Sequence, residues 1–331
     1  MSKILVTGAT GFVGSALVKA LLKKGATVRI TVRETSDRRN IAGLKVEEVP
    51  ADISRMDEMR KAMEGCTQLY HVAGLYRTWM RDYHLLKRIN VEGTRIVLQA
   101  ALEAGIKKVV HTSSIAALGI RMDGKPSDEQ TAYNLHHLNL PYELSKYESE
   151  QVVLEFLLKG LNVVVVRPAL VMGEGDIYPT PSGKIVLDIL KGRVPSYFDG
   201  GIEVVDVEDI AAGHILAMEK GRSGESYNLG CKNNFTTMKN LFKLIADAGR
   251  VRAPFMQVPQ SFALAYAYLL TTIADRITHQ EPVATPDNIR ILSLKKHVDF
   301  SKAVSELGIP QTPLINIIEK TVKWYKKEGY I

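Results

Sequence analysis

The chain has 331 residues, of which 46% are apolar, 24% charged and 7% aromatic, a size at which roughly three quarters of the unfolded surface can be buried without disulfide or metal staples. Its 25 glycines and 13 prolines are close to average usage, which excludes a low-complexity or collagen-like chain. The excess of 43 Lys and Arg over 36 Asp and Glu is a modest +7, and basic residues interleaved with exposed aromatics, the mark of a nucleic-acid binder, are absent from the pattern.

The first apolar run, Lys3–Thr7, is a predicted strand followed by a helix over 12–24 that ends at Gly25. Thr27–Val32 is the next strand, and Met56–Met63 a short helix. Residues 68–72, 109–112 and 162–167 are further apolar runs, separated by helical patterns over 83–104 and 142–159. Strands alternating with helices of this length predict a parallel, doubly wound α/β sheet with right-handed crossovers. Beyond Val171 the pattern becomes mixed, with short strands over 204–207 and 226–229 and helices over 236–248 and 313–328. The expected organisation is therefore a nucleotide-binding unit over 1–170 with a return at 204–230, and a smaller substrate region over 171–203 and 231–331. The longest apolar stretch, 262–274, is shorter than the ~18–20 residues that span a bilayer, and it reads as a buried helix rather than a membrane-surface element. Only seven residues precede Gly8, too few for a signal peptide. Cys66 and Cys231 lie far apart and outside any CxxC, so neither a disulfide framework nor a zinc site is expected. A soluble, cytoplasmic protein is the expectation.

Gly8-Ala9-Thr10-Gly11-Phe12-Val13-Gly14 follows the first strand directly and opens the first helix. Glycines at that place allow a tight turn, close approach of backbone to a pyrophosphate and close helix–strand packing, while the helix start offers N–H donors to phosphate. The acidic residue that would bind an adenosine ribose 2′-hydroxyl at the end of the second strand is missing; Arg33 stands there, followed by Arg38 and Arg39. A guanidinium pairs with a 2′-phosphate that a carboxylate would repel, so NADP(H) is favoured over NAD(H).

Tyr142 and Lys146 are four residues apart on a predicted helix and hence on one face. An ammonium beside a phenol favours the phenolate and lowers its pKa, which makes the tyrosine a usable acid or base for a carbonyl/alcohol oxygen. Upstream, a core strand ends in Thr112-Ser113-Ser114, where a hydroxyl can orient the same oxygen.

GxxGxxG, a strand-end serine and YxxxK in this order resemble the extended short-chain dehydrogenase/reductases over nearly the whole chain. Within that superfamily the chain is most similar to dihydroflavonol-reductase-like enzymes and to proteins labelled hopanoid-associated sugar epimerases. The second likeness rests on Tyr76-Arg77-Thr78-Trp79-Met80-Arg81-Asp82, on Ser36-Asp37-Arg38-Arg39-Asn40 and on the segment 175–183. The resemblance implies that Ser114, Tyr142 and Lys146 are catalytic, with Asn90 supporting the lysine. It implies a cofactor site of Gly8, Thr10, Gly11, Phe12, Val13, Gly14, Asp52, Ile53, Val72, Ala73, Gly74, Thr112, Pro168, Ala169 and Val171, together with Tyr142 and Lys146. Extended members pair through helices corresponding to 83–104 and 142–159, which implies a homodimer. Asp206 stands where a common family segment carries His.

The expected function is NADPH-dependent reduction of a ketone or aldehyde on a small molecule, with Tyr76, Trp79, Ser114, His137 and Tyr178 bordering the substrate. Tyr197 and Phe198 are further candidates for a pocket wall, with core packing as the alternative. The rival readings are a nucleotide-sugar epimerase or dehydratase, which recycles its cofactor, and a non-catalytic NADP-binding sensor. No carboxylate or cysteine at ligand spacing accompanies His136 and His137, so no metal is expected, and the GxSxG elbow of a hydrolase is absent.

Overall fold

A computed structural model describes residues 3–77, 79–80 and 82–331; Thr78 and Arg81 of the 76–82 signature lie outside the described residues. In chain order the strands and helices are β1 (Lys3–Thr7), α1 (Phe12–Lys23), β2 (Thr27–Val32), β3 (Glu47–Pro50), α2 (Met56–Met63) and β4 (Cys66–His71). Next come α3 (His84–Leu86), which runs through a π-helical turn at Lys87–Glu92 into α4 (Gly93–Glu103), then β5 (Lys108–Thr112), α5 (Pro141–Leu158), β6 (Val163–Pro168) and β7 (Leu170–Met172). The remainder is α6 (Pro181–Leu190), β8 (Ser196–Tyr197), β9 (Gly201–Asp206), α7 (Val207–Lys220), β10 (Ser226–Leu229), β11 (Phe235–Thr237), α8 (Met238–Gly249), β12 (Met256–Gln257), α9 (Gln260–Ile273), α10 (Pro286–Ser293) and α11 (Leu314–Lys327).

Seven parallel strands form one sheet in the order β10-β6-β5-β4-β1-β2-β3. Side chains alternate across each strand, so Ile4 and Val6 join one buried cluster with Leu17, Val18 and Ile210, while Leu5 joins another with Val97, Val109 and Phe156. With both faces covered, the strands read as near-continuous apolar runs such as Val163–Pro168, all of it buried. The order reverses between β1 and β4, the place where an open α/β sheet leaves a crevice at its carboxyl edge.

Three elements differ from the expectation. β3 escapes hydropathy patterning because it is an edge strand that carries Glu47 and Glu48 and ends in Pro50; Glu47 pairs with the buried Arg29 at 2.7 Å and with Lys3 at 2.9 Å. Of the two late strands, β10 joins the main sheet beside β6, whereas β9 pairs with β7 and β11 in a separate three-stranded sheet. The 262–274 stretch is indeed helical, yet only Ala267 of α9 is buried and Phe262 is 71% exposed, so it is not a buried helix. The same small region has its own core, where Tyr197 and Phe198 pack with Met238, Ile289 and Tyr325.

Candidate active site

The crevice begins where β1 ends. Gly8 turns the chain at φ +72°, and a Cβ there would lie 2.7 Å from the Ala73 backbone at the end of β4. A Cβ at Gly14 would lie 2.1 Å from the Gly8 carbonyl, so both positions exclude every side chain. α1 starts with Gly11 as N-cap, without a capping side chain and with no acid in its first turn, which leaves the N–H groups around Phe12 and Val13 and the positive end of the helix dipole for an anion. The Thr10 carbonyl accepts from Asn40 Nδ2 at 3.4 Å, and the same amide donates to the Gly175 carbonyl at 2.9 Å, so two of the signature segments clasp the glycine loop.

Beyond β2 the three arginines separate. Arg38 is bound to Glu48 at 3.0 Å and Arg39 to Asp37 at 2.8 Å, whereas Arg33 is exposed with no hydrogen-bonded carboxylate among the described residues. Asp52 accepts from the Ser54 N–H and hydroxyl at 2.8 and 2.7 Å; burial raises its pKa, but those bonds and the charges of Arg33 and Arg55 outweigh it and hold the carboxyl below its ordinary value. Ile53 packs beside it against the α2–α4 core.

At the carboxyl end of β5, Lys146 donates from Nζ to the Thr112 carbonyl at 3.0 Å. Ser114 caps the short turn that follows, accepting from the Ala116 N–H at 3.1 Å, with the Tyr142 phenol near its hydroxyl. The Tyr142 phenol does not follow the expectation of a lowered pKa. Burial pushes it well above its ordinary value, the Ser114 hydroxyl lowers it only in part, and the Glu143 charge raises it further, because the Lys146 ammonium points to Thr112 instead. Burial also draws Lys146 down to about 8.

Asn90 is buried at the π-helical turn; its Oδ1 accepts from Leu75 N–H at 2.7 Å and its Nδ2 donates to Leu75 O and Ser145 Oγ, both at 3.0 Å. Turns of this kind recur at functional positions. A Cβ placed at Gly74 would lie 3.3 Å from Lys146 Nζ and 3.4 Å from Asn90 Oδ1, so that glycine holds open the space between them. Val72 packs on the sheet core, and the Ala73 N–H donates to Thr7 Oγ1 at 3.2 Å. On the other side of β5, the Ala169 N–H donates to Leu229 after β6 ends at Pro168, and Val171 accepts from Ser182.

A cavity of about 40 Å³ adjoins Tyr142. Tyr76 and Arg77 form one wall, with the Tyr76 ring 4.5 Å from that of Tyr142; Glu143, Asp287, Asn288 and Ile291 form much of the rest. Trp79 is close by in sequence but is tied to Asp275 through its indole N–H at 2.8 Å. His137 is exposed in the turn at His136–Leu138 and does not line the cavity. Tyr178 does not line it either: it is 65% exposed and its ring lies beneath the Arg39 guanidinium.

The profile of the NAD dependent epimerase/dehydratase family matches residues 4–230. The chain belongs to that family. It is 36% identical over 330 residues to a protein of Synechocystis sp. named putative dihydroflavonol 4-reductase, covering 98% of this chain and 95% of that one. It is 33% identical over 328 residues to sterol demethylase protein B of Methylococcus capsulatus, covering 99% of each. Among solved structures, that of gox2253 superposes with a TM-score of 0.87 at 38% identity over the full length of both chains.

An epimerase/dehydratase-family chain is an enzyme that works with a nicotinamide dinucleotide, and the residues present fit one: a cradle with no room for a Cβ at Gly8 or Gly14 and an uncapped α1 behind it. The structure brings Ser114, Tyr142 and Lys146 to one end of the sheet and adds Glu143 and Asp287, which sequence reasoning missed. Glu143 sits inside the YxxxK motif and so was legible as a neighbour of Tyr142; Asp287 arrives from 145 residues downstream with no local signal. Asp206, in place of His, caps α7 by accepting from Glu208 N–H at 2.7 Å and pairs with Lys320.

Proposed function

We propose that this protein is an NADPH-dependent reductase of a ketone or aldehyde, with Tyr142 as proton donor. The carrying observation is the placement of Tyr142: it borders a cavity, its ring is 4.5 Å from that of Tyr76, and Lys146, one turn on, is tied to the Thr112 carbonyl at the end of β5. A phenol keeps its proton at neutral pH and can give it to a developing alkoxide, the step that reduction requires. When bound, the reduced nicotinamide supplies the hydride. Gly8, Gly11 and Gly14 would hold the diphosphate, Asp52 and Ile53 the adenosine, and Arg33 the 2′-phosphate. Pro168, Ala169 and Val171 would border the nicotinamide end. Ser114 orients the carbonyl oxygen. Lys146 would bind the ribose hydroxyls and, through its bond to the Thr112 carbonyl, hold Tyr142 in place. Asn90, which faces Lys146 across Gly74, completes the relay that returns the proton.

The test is a screen of ketones, aldehydes and nucleotide sugars with NADPH and NADH. Stoichiometric NADPH oxidation with a carbonyl substrate supports the reading. Net epimerisation of a nucleotide sugar without cofactor consumption overturns it. The same reading includes a homodimer through α4 and α5, supported by Leu154 and Leu158 of α5, which are 51% and 91% exposed; a monomeric mass by light scattering at micromolar concentration contradicts that part.

A further inference from the structure

α9 is uncharged and largely apolar yet lies on the surface. Its sequence, Gln260-Ser261-Phe262-Ala263-Leu264-Ala265-Tyr266-Ala267-Tyr268-Leu269-Leu270-Thr271-Thr272-Ile273, contains no charged residue. One face, with Ala263, Leu264 and Ala267, packs into the core of the small region. The opposite stripe, Phe262, Tyr266 and Leu269 at helical spacing, is 71%, 60% and 56% exposed. An apolar stripe of this size on a surface marks an interaction site. The exposure continues along the chain at both ends, at Phe255 and Met256 before the helix and at Ile277 after it.

The carboxylates of this segment are engaged: Glu281 with Arg77 and Lys184, Asp287 with Arg290, and Asp275, which keeps its charge, with the Trp79 indole N–H. Its exposed cations are not, since Arg250, Arg252 and Arg276 have no carboxylate partner among the described residues, and Arg252 lies over the Phe255 ring at 4.7 Å. No helix among the described residues is long and apolar enough to cross a membrane. Aromatic and aliphatic side chains flanked by unpaired arginines, on a helix lying along the protein surface, match the chemistry of an anionic bilayer interface: the stripe enters the headgroup–acyl boundary and the guanidiniums meet lipid phosphate.

We infer that the Phe262–Tyr266–Leu269 stripe of α9 docks this protein on the surface of a membrane rich in anionic phospholipid. A protein partner of matching shape would need acidic groups set against three separate arginines at both ends of the stripe, whereas anionic headgroups are present everywhere on such a membrane. The inference does not depend on which carbonyl is reduced. It does place a lipid surface on the outside of the α9–α10 pair, whose other helix contributes Asp287, Asn288 and Ile291 to the cavity beside Tyr142.

The experiment is co-sedimentation of the full chain with vesicles of phosphatidylcholine alone or with about 30 mol % phosphatidylserine. The expected result is binding to the anionic vesicles, weaker binding to the neutral ones, and release of the anionic preference by about 0.5 M salt. F262E/L269E is expected to lower partitioning about tenfold or more, and R252E/R276E to abolish the preference for anionic lipid. Met122→Glu, at a residue 92% exposed and outside both α9 and the α4–α5 face, leaves binding unchanged. Matching urea midpoints show that the variants fold; where F262E/L269E does not, Leu269→Gln replaces it. A wild-type chain that stays in the supernatant with both vesicles overturns the inference. So does a dimer that F262E/L269E converts to monomer without vesicle binding, which would assign the stripe to a second copy.

Discussion

The ammonium of Lys146 donates to the backbone carbonyl of Thr112 at 3.0 Å, which ties the first turns of α5 to the end of β5 and holds Tyr142, one turn earlier, beside Ser114. The lysine thus acts on position, through its bond to the Thr112 carbonyl. Replacing Tyr142 by Phe removes the proton donor while keeping a ring tilted against that of Tyr76. Turnover is expected to fall by about 10²–10⁴-fold with little change in NADPH affinity, measured by steady-state rates and cofactor titration. Unchanged turnover would instead favour a cofactor-binding sensor.

Arg33 is the arginine of its loop left without a hydrogen-bonded carboxylate, while Arg38 and Arg39 are engaged. Arg33→Ala is expected to cost about 1.5–3 kcal/mol toward NADPH, or roughly one to two decades in kcat/KM, and to leave NADH nearly unaffected. Arg39→Ala serves as the control. Equal loss with both cofactors would remove the 2′-phosphate assignment.

Lys296 is buried and donates to the carbonyls of Ile115 and Leu118, and burial draws its pKa from 10.5 down to about 7, with the Glu143 charge opposing the shift. Between these values the unfolded chain binds the proton that the folded one lacks, so stability from this group rises with pH across about 7 to 10.5 and its burial cost is full below 7. Urea unfolding of wild type and Lys296→Met at about pH 7 and pH 9.5 tests the sign: the wild type gains stability over that interval by more than the variant does.

Catalysis carries the opposite sign at Lys146. Its charged form is the useful one, and with its pKa near 8 that form is lost as pH rises, so kcat/KM is expected to bend downward on a basic limb near 8. Lys146→Arg, which stays charged, shifts that limb upward at a lower plateau rate. A limb that stays in place in the arginine variant assigns it to another group.

Glu150 and Arg167 form a buried bidentate pair at 2.8 and 2.6 Å between α5 and β6. Removing one partner leaves the other charge buried, so Glu150→Gln or Arg167→Met is expected to cost about 3–5 kcal/mol by urea denaturation. The double replacement is expected to recover much of that loss.

Order along the chain was enough to read the sheet, the glycine turn and the Tyr142–Lys146 spacing, because parallel strands buried on both faces and a helical i, i+4 pair leave local patterns. It was not enough for β3, whose edge position tolerates glutamates, nor for the partner of β9, since a short strand carries no record of which sheet it joins. The lowered phenol pKa expected for Tyr142 failed for a similar reason: spacing places two side chains on one helix face, but the direction of the Lys146 amine is set by the Thr112 carbonyl at the end of β5. Only the tertiary structure brought Asp287 and Ile291 to Tyr142, took Tyr178 and His137 away from it, and left one face of α9 uncovered. The sequence determined which elements form, because propensity and burial are written locally; the packing of distant segments decided what surrounds the reacting oxygen and what remains open to a partner.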